Sequence, residues 1–166
     1  MPPHAARSHP LLSIQIRPAI EDDQPAIHRL IRQAGINPLG LNWRRFTVAV
    51  ELSGVVVGCG QLKQHRDGTV ELASLAVVPR LRGEGLGRRL IEALIGRGPD
   101  ELWLMCRSSL ASLYRKFGFE EVEEPEAMPT YFRRVRGLAG LVHQLAHTNE
   151  HLAVMLRQSS QRAESS

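Results

Sequence analysis

A glycine-rich run between an apolar segment and an amphipathic one is the part of this sequence best suited to chemistry. Gly83, Gly85 and Gly87 occupy alternate positions directly before a segment with helical periodicity. Glycine lets a backbone approach a ligand closely, and the first turn of a helix offers unpaired N–H groups and the positive end of its dipole. The run therefore predicts a phosphate site. The arginines around it add charged donors: Arg80, Arg82, Arg88 and Arg89.

Two common nucleotide motifs do not fit this run. A P-loop requires a lysine and then a hydroxyl residue after its last glycine, whereas two arginines follow Gly87. A dinucleotide-binding fingerprint that starts at Gly83 would place its third glycine at Arg88. The alternative without a ligand is a tight turn from a strand into a helix, for which one glycine would suffice.

Two segments together carry a family resemblance. The run Arg82-x-x-Gly85-x-Gly87, after a strand that ends in Val-Val-Pro, resembles the acetyl-CoA-binding motif of the GCN5-related N-acetyltransferase (GNAT) family. The segment Leu113–Phe119 is similar to the family's Leu-Tyr-x-x-x-Gly-Phe pattern. One departure is that many members carry Asn and Ala at the positions of Arg107 and Leu110. The resemblance spans residues 13–135.

The resemblance implies that the pyrophosphate of coenzyme A lies on the amides of the glycine run. It also implies an oxyanion site at backbone N–H groups near Leu75–Val77. An open alternative for Arg88 is an ordinary helix cation with a solvated head group. The residues expected to contact acetyl-CoA, as cosubstrate, are Leu75, Val77, Arg82, Gly83, Gly85, Leu86, Gly87 and Arg88.

Glu71 and Tyr114 are the candidates for proton transfer. Glu71 shares one face of a mostly apolar strand with Ala73 and Leu75, where a carboxylate is costly unless it is paired or used. The resemblance implies that Glu71 is the general base and that the Tyr114 hydroxyl is the general acid at the coenzyme sulfur. The alternatives are a solvated or salt-bridged Glu71 at the strand end and a Tyr114 that only anchors its helix.

The expected reaction is transfer of an acetyl group to a primary amine by direct attack in a ternary complex. Trp43 and Arg133 are candidate substrate contacts, because an arginine can hold the carboxylate of an amino acid or peptide. The segments Glu71–Val77 and Arg107-Ser-Ser are also similar to the acetyltransferase domain of N-acetylglutamate synthases. The alternative to an enzyme is a non-catalytic module that binds acyl-CoA or a protein partner.

Strands and helices alternate in a way that predicts an α/β fold with a mixed sheet, as in the GNAT family. Three strands on short turns predict an antiparallel N-terminal part, and a strand–helix–strand unit through Gly87–Ile95 predicts a parallel central pair. Helices are expected on both faces. The end of the chain predicts a strand at Thr130–Val135, followed by a helix at Leu138–Arg157. We expect one N-acetyltransferase domain over residues 13–157 and disordered tails at 1–12 and 158–166.

Composition and charge exclude several classes of protein. The 166 residues include 21 Lys+Arg and 17 Asp+Glu, and an aromatic content of 5% offers little for stacking on nucleic acid. Neither a membrane span nor a secretory signal is predicted, which favours the cytoplasm. The histidines at 143, 147 and 151 have a metal-like spacing but fall on the predicted solvent face, so we expect no metal. A leucine stripe on the last helix favours a possible homodimer.

Overall fold

The turns of the N-terminal half set its antiparallel topology. Gly54 and Gly68 adopt φ angles of 84° and 86°, which glycine reaches at little cost, and each lies in the turn that joins two strands. The structure is a computed structural model that describes residues 13–146 and 150–159; of residues 141–146 only the backbone is described. The turns therefore fold the chain into hairpins as the sequence predicts.

Seven strands and four α-helices lie within the described residues. The strands are β1 (Ile14–Pro18), β2 (Phe46–Glu51), β3 (Val56–Gln64), β4 (Val70–Val77), β5 (Glu101–Arg107), β6 (Glu120–Glu121) and β7 (Leu152–Gln158). The helices are α1 (Gln24–Gln33), α2 (Leu86–Arg97), α3 (Ala111–Arg115) and α4 (Thr130–Ala146). Within this part of the chain, no helix is both long and apolar enough to cross a bilayer.

The chain divides into two units. The first comprises Met1–Gln61 and Ser74–Leu94, and the second comprises Leu62–Ala73 and Ile95–Ser166. Strands β3 and β4 contribute residues to both units. The strand order is β1-β2-β3-β4 in the first unit and β3-β4-β5-β7-β6 in the second.

In the first unit, two apolar clusters hold the helices. Ile27 and Ile31 of α1 pack with Phe46 in one cluster, and Leu86 and Leu90 of α2 belong to the other. All five side chains are at most 1% exposed. A bidentate ion pair between Arg17 and Asp23 fixes the chain where α1 begins, with N–O distances of 2.7 and 3.1 Å.

In the second unit, β5 runs parallel to β4 and antiparallel to β7. The parallel pairing is at Glu71 and Trp103, and β7 is also paired with the edge strand β6. Phe132 of α4 packs with Trp103 and Val154 in the core of this unit. The predicted mixed sheet with a parallel central pair is confirmed.

The two elements predicted at the end of the chain are only partly correct: residues 138–146 are helical as expected, but the segments before and after them are not as predicted. The segment Thr130–Val135 begins helix α4 instead of forming a strand, and residues 152–158 form β7 instead of continuing a helix. Pro129 precedes α4, and its carbonyl accepts a hydrogen bond from the Arg133 N–H, which is a typical helix start. The run at 152–156 is apolar throughout, and periodicity alone does not separate a short buried strand from a helix.

The leucine stripe and the histidine spacing predicted for the last helix are both affected by the actual positions of α4 and β7. The leucine stripe that suggested a homodimer does not lie on one helix, since Leu152 and Leu156 belong to β7. His151 precedes β7 and bonds to Glu121, while the side chains at 143 and 147 lie outside the described residues. Gln158, expected in a tail, ends β7; the predicted tail segments 1–12 and 160–166 also lie outside the described residues.

Candidate functional site

The glycine run forms an irregular turn in the first unit, between β4 and α2. Gly83 and Gly85 adopt φ angles of 79° and 90°, a left-handed conformation that disfavours any residue with a Cβ atom. Leu86 begins α2 and is fully buried, so the first turn of this helix is anchored in the core. The turn is therefore held in one place while Gly83 and Gly85 remain exposed.

Gly87 is different, because nothing in the described part of the chain requires a glycine there. Its φ is not in the left-handed region, and a Cβ atom built on it meets no heavy atom within 4 Å. A side chain at Gly87 would occupy only the space beside the first turn of α2. The open backbone at this helix start suits a pyrophosphate group, so the residues present fit coenzyme A.

The arginines of this turn differ in their contacts. Arg82 donates from Nε to the Val77 carbonyl at 3.1 Å, and Arg80 pairs with Glu51 at 2.8 Å. Arg89 donates to the carbonyl of Ile14 at 3.0 Å and thereby ties α2 to β1. Arg88 is exposed on the first turn of the helix. Of the other expected contacts, Leu75 and Val77 are partly buried against the apolar cluster of α2.

A local distortion of β4 lies just before Leu75 and Val77. Ser74 has a φ of 56°, which costs a non-glycine residue about 1–2 kcal/mol. Gln61, which is 3% exposed, donates from Nε2 to Ser74 Oγ at 2.8 Å and holds this distortion. Its Oε1 is buried and has no hydrogen-bond partner within the described residues. The distortion lies within β4, immediately before the amides expected to form the oxyanion site.

Glu71 lies in the second unit and is 5% exposed, so it is not a solvated residue at a strand end. Its Oε2 lies 2.8 Å from Nε2 of His65, and the two side chains are only 7% and 9% exposed. Burial raises the pKa of Glu71 above its usual value, while the His65 hydrogen bond and the charges of His65 and Lys63 act in the opposite direction. A buried carboxylate of raised pKa is suited to accept a proton near neutral pH.

Tyr114 belongs to α3 in the second unit and is 8% exposed. Burial, and secondly the neighbouring Cys106, raise the pKa of Tyr114 to about 12. The phenol therefore remains protonated across the neutral range and is available as a hydrogen-bond donor. Its ring packs edge-on against Phe119, with 6.1 Å between the ring centroids.

The two substrate candidates lie in different units and have different surroundings. Trp43 is partly buried in the first unit, where the Arg44 guanidinium lies over its ring at 4.4 Å from the centroid. Arg133 lies in the second unit and is exposed on α4, not on the strand predicted for it. All the expected coenzyme contacts belong to the first unit, whereas Glu71 and Tyr114 belong to the second.

His65 and Tyr131 were not predicted from the sequence. His65 directly follows β3, at the start of the turn to β4. Its N–H donates a hydrogen bond to the Thr69 carbonyl at 2.8 Å. Continuing that register places Lys63 opposite Glu71 and His65 on the same face as both. The short turn that the sequence predicts between these two strands is therefore a signal by which His65 could have been found. Tyr131 gave no such signal, because its segment was predicted as a strand.

A cavity of about 490 Å³ lies at the edge strand β6, and its lining includes none of the predicted site residues. Glu121 is among its lining residues, and its carboxylate is paired with His151 at 2.9 Å and with Arg115 at 3.6 Å. Arg157, also in the lining, donates to the carbonyl of Phe117 at 3.0 Å. These charges serve contacts within the second unit. No group of His, Cys, Asp and Glu side chains suited to a metal ion lies in the described part of the chain.

Comparison with protein families decides the identity of the chain. The sequence model of the family described as "Acetyltransferase (GNAT) family" matches residues 9–119. The chain belongs to this family. The match includes the glycine run, Glu71 and the Leu-Tyr-x-x-x-Gly-Phe segment, so the resemblance seen in the sequence is confirmed.

Individual relatives agree with this GNAT assignment. An uncharacterized N-acetyltransferase of Chlorobaculum tepidum is 31% identical over 85 residues, which are 49% of this chain and 53% of that protein. The chain thus spans about half the length of this curated relative.

Two solved structures show the same fold. N-acetylglutamate synthase of Neisseria gonorrhoeae, complexed with coenzyme A and N-acetyl-glutamate, has a TM-score of 0.64 at 24% identity; the match covers 87% of this chain and 35% of that one. The ribosomal-protein-S18-alanine N-acetyltransferase of Escherichia coli has a TM-score of 0.64 at 22% identity, over 92% and 98% of the two chains. At these identities the likeness establishes the GNAT fold alone.

Proposed function

We propose that this GNAT protein transfers an acetyl group from acetyl-CoA to a primary amine by direct attack. The observation that carries the proposal is the glycine turn before α2, where a Cβ atom built on Gly87 meets no heavy atom of the described residues within 4 Å. Acetyl-CoA, when bound, supplies an activated thioester. The protein must then keep the amine neutral, stabilise the oxyanion and supply a proton to the leaving sulfur.

The residues of this chain are suited to those three tasks. Glu71 accepts a proton from the attacking nitrogen, which forms its bond to the acetyl carbon as the bond from carbon to sulfur breaks. Backbone N–H groups near Leu75–Val77, next to the distortion at Ser74, stabilise the charge on the acetyl oxygen. Tyr114 directs its hydroxyl to the sulfur. Because its pKa is about 12, the hydroxyl is protonated before the reaction, and as the general acid it gives this proton to the departing thiolate.

The first test is binding of acetyl-CoA, measured as a shift of the thermal unfolding midpoint. At 100 times Kd a ligand adds about 2.7 kcal/mol, or about 5–11 °C for a chain of this size. Dephospho-CoA and ATP serve as controls. We expect Gly87→Gln to abolish the shift, because the new side chain fills the space above the amides. No shift with acetyl-CoA in the unmodified protein contradicts the proposal.

Gly96→Gln is the matched control for this variant. Gly96 lies on the same helix, and a Cβ atom built on it also meets no heavy atom within 4 Å. Both substitutions raise helix propensity, by up to about 1 kcal/mol. Loss of the acetyl-CoA shift in Gly87→Gln together with its retention in Gly96→Gln assigns the ligand to the glycine turn. Equal behaviour of the two variants argues against that assignment.

The acceptor is proposed at the level of its class, a primary amine of an amino acid, peptide or small molecule. The narrower hypothesis is an amino acid of the glutamate type, supported by the similarity of Glu71–Val77 to N-acetylglutamate synthases. Thiol release from acetyl-CoA should be measured with the standard amino acids, spermidine and a peptide with a free N-terminus. Turnover with L-glutamate above the other acceptors supports the narrower hypothesis, and preference for the peptide rejects it.

A further inference from the structure

His65 and Glu71 form a buried pair that is held from several sides. The ring of His65 lies against Tyr131, with 4.1 Å between centroids and 30° between the planes, and meets Phe132 edge-on at 5.5 Å. Its backbone is fixed by the hairpin, through the N–H of His65 to Thr69 and the N–H of Gly68 to the His65 carbonyl. The position of the imidazole is therefore set by the turn and by α4 together.

We propose that His65 is a positioning residue for Glu71: it orients the buried carboxylate and keeps it ionised, so that Glu71 is ready to accept a proton. This inference rests on the proposed function, in which Glu71 is the base. With the proton on Nε2, His65 donates to Oε2 at 2.8 Å, a charge-assisted bond to a group that is otherwise nearly out of water. The second carboxylate oxygen then remains for the substrate amine.

The surroundings of the pair support this role. Lys63 of β3 lowers the pKa of Glu71 by its charge, and Asp67 of the turn interacts with His65. Tyr131 of α4 has its pKa raised, first by burial and then by Glu71. Trp103 of β5, which is paired with Glu71, carries no charge. His65 is the residue that places a hydrogen-bond donor directly on the carboxylate.

Two variants of His65 separate the hydrogen bond from the packing. Phenylalanine keeps an aromatic ring against Tyr131 and removes the donor, whereas glutamine places an amide N–H near the position of Nε2. We expect His65→Phe to raise the titration midpoint of Glu71 by about one pH unit or more. In His65→Gln the midpoint should return most of the way to that of the unmodified protein. The titration is followed directly by the ¹³C resonance of the Glu71 carboxyl group, which does not require turnover.

His151 provides the matched control, because it forms the other described pair of histidine with glutamate. Its Nε2 lies 2.9 Å from Oε1 of Glu121, but its side chain is 56% exposed. His151→Phe should leave both the Glu71 titration and the pH profile of turnover unchanged. The folded state of every variant is checked by circular dichroism and by its unfolding midpoint.

Kinetics connect the pair to the reaction. With the best acceptor of the amine panel, the acidic limb of the pH profile of kcat/KM should move to higher pH in His65→Phe. The shift should equal the one seen in the Glu71 titration. A uniform loss of activity with an unmoved limb and an unmoved Glu71 titration overturns the role of His65. Full activity of Glu71→Gln overturns the base assignment instead, so the two failures are distinguishable.

Discussion

At the scale of single residues, the buried carboxylate of Glu71 lowers the stability of the fold and is suited to proton transfer. Its side chain is 7% exposed, and its partner in the structure is a histidine on the adjacent end of the same hairpin. Buried carboxylates without a strong cationic partner reduce stability, and such groups cluster where proton transfer is needed. A substitution that removes the charge of Glu71 should therefore lower activity and raise stability.

We expect Glu71→Gln to lower kcat by about 10²–10⁴-fold at neutral pH, since it removes the proton acceptor. Acetyl-CoA affinity should change little, because Glu71 is not among the residues proposed to contact the coenzyme. Steady-state kinetics with an active amine, together with the acetyl-CoA thermal shift, test both parts. An unchanged kcat removes Glu71 from the mechanism.

The stability of this variant should depend on pH in a defined way. Since the pKa of Glu71 is raised in the folded state, the folded protein binds this proton more tightly than the unfolded chain does. The resulting contribution to stability is present below the usual value of 4.5 and is lost as pH rises through the raised folded pKa. The unfolding midpoint of Glu71→Gln should therefore gain on the unmodified protein as pH rises toward 8.

That gain is measured by thermal unfolding of both proteins across the pH range. Asp23→Asn is an informative contrast. Although burial opposes it, the hydrogen bonds from Arg17 and from the Ile20 N–H lower the pKa of Asp23, so its contribution to stability is lost as pH falls. A constant difference between Glu71→Gln and the unmodified protein at every pH contradicts the assigned titration.

At the scale of elements, the sequence predicts best where glycines and alternation agree. The hairpins β2–β3 and β3–β4 and the turn into α2 followed from Gly54, Gly68 and the run at 83–87, because positive φ leaves few other conformations. The three antiparallel strands on short turns and the strand–helix–strand unit were therefore predicted correctly. Tertiary contacts decide α4 and β7: Phe132 is fully buried against Trp103, and β7 fits between two strands that come earlier in the chain.

The candidate site divides in the same way. Gly85 was identified from the spacing of the glycines and Tyr114 from the resemblance to the family's Leu-Tyr-x-x-x-Gly-Phe pattern, because both belong to short local segments. His65 was missed because its importance arises from a cross-strand register, and Tyr131 was missed because helix α4 was not predicted. Sequence patterns locate a chemical group more readily than they locate the residues that orient it.

A pair of substitutions tests the correction of the C-terminal elements. Val154 is fully buried in β7, so Val154→Asp should lower the free energy of unfolding by at least about 3 kcal/mol. Leu138 on α4 is 68% exposed, and Leu138→Asp should change it by no more than about 0.5 kcal/mol. Urea denaturation of both variants provides the values. Similar costs at the two positions would contradict the assignment of β7.

At the scale of the whole molecule, charge favours an anionic cosubstrate. The sequence carries a formal net charge of +4, and several arginines lie around the glycine turn. Attraction between exposed charges weakens as the Debye length shortens, from about 10 Å at 0.1 M salt to about 3 Å at 1 M. Binding of a phosphate-rich ligand to an exposed turn should follow this screening.

We therefore expect the dissociation constant of acetyl-CoA to rise severalfold as KCl is raised from about 0.05 to about 0.5 M. Titration calorimetry at several salt concentrations measures it, with sucrose as a control for solvent effects other than screening. A dissociation constant that is independent of KCl would place the binding energy in apolar contacts and not in the charged turn.

The hairpin that carries His65 and Glu71 has a consequence for how the molecule assembles. The two residues are close in sequence, and an isolated hairpin forms within about 1–10 μs. The imidazole also packs against the rings of Tyr131 and Phe132, which are distant from His65 in the sequence. These contacts form only after the longer intervening chain has closed, which is slower. The pair should therefore come together early during folding, while its final orientation is acquired late, when α4 docks within the second unit.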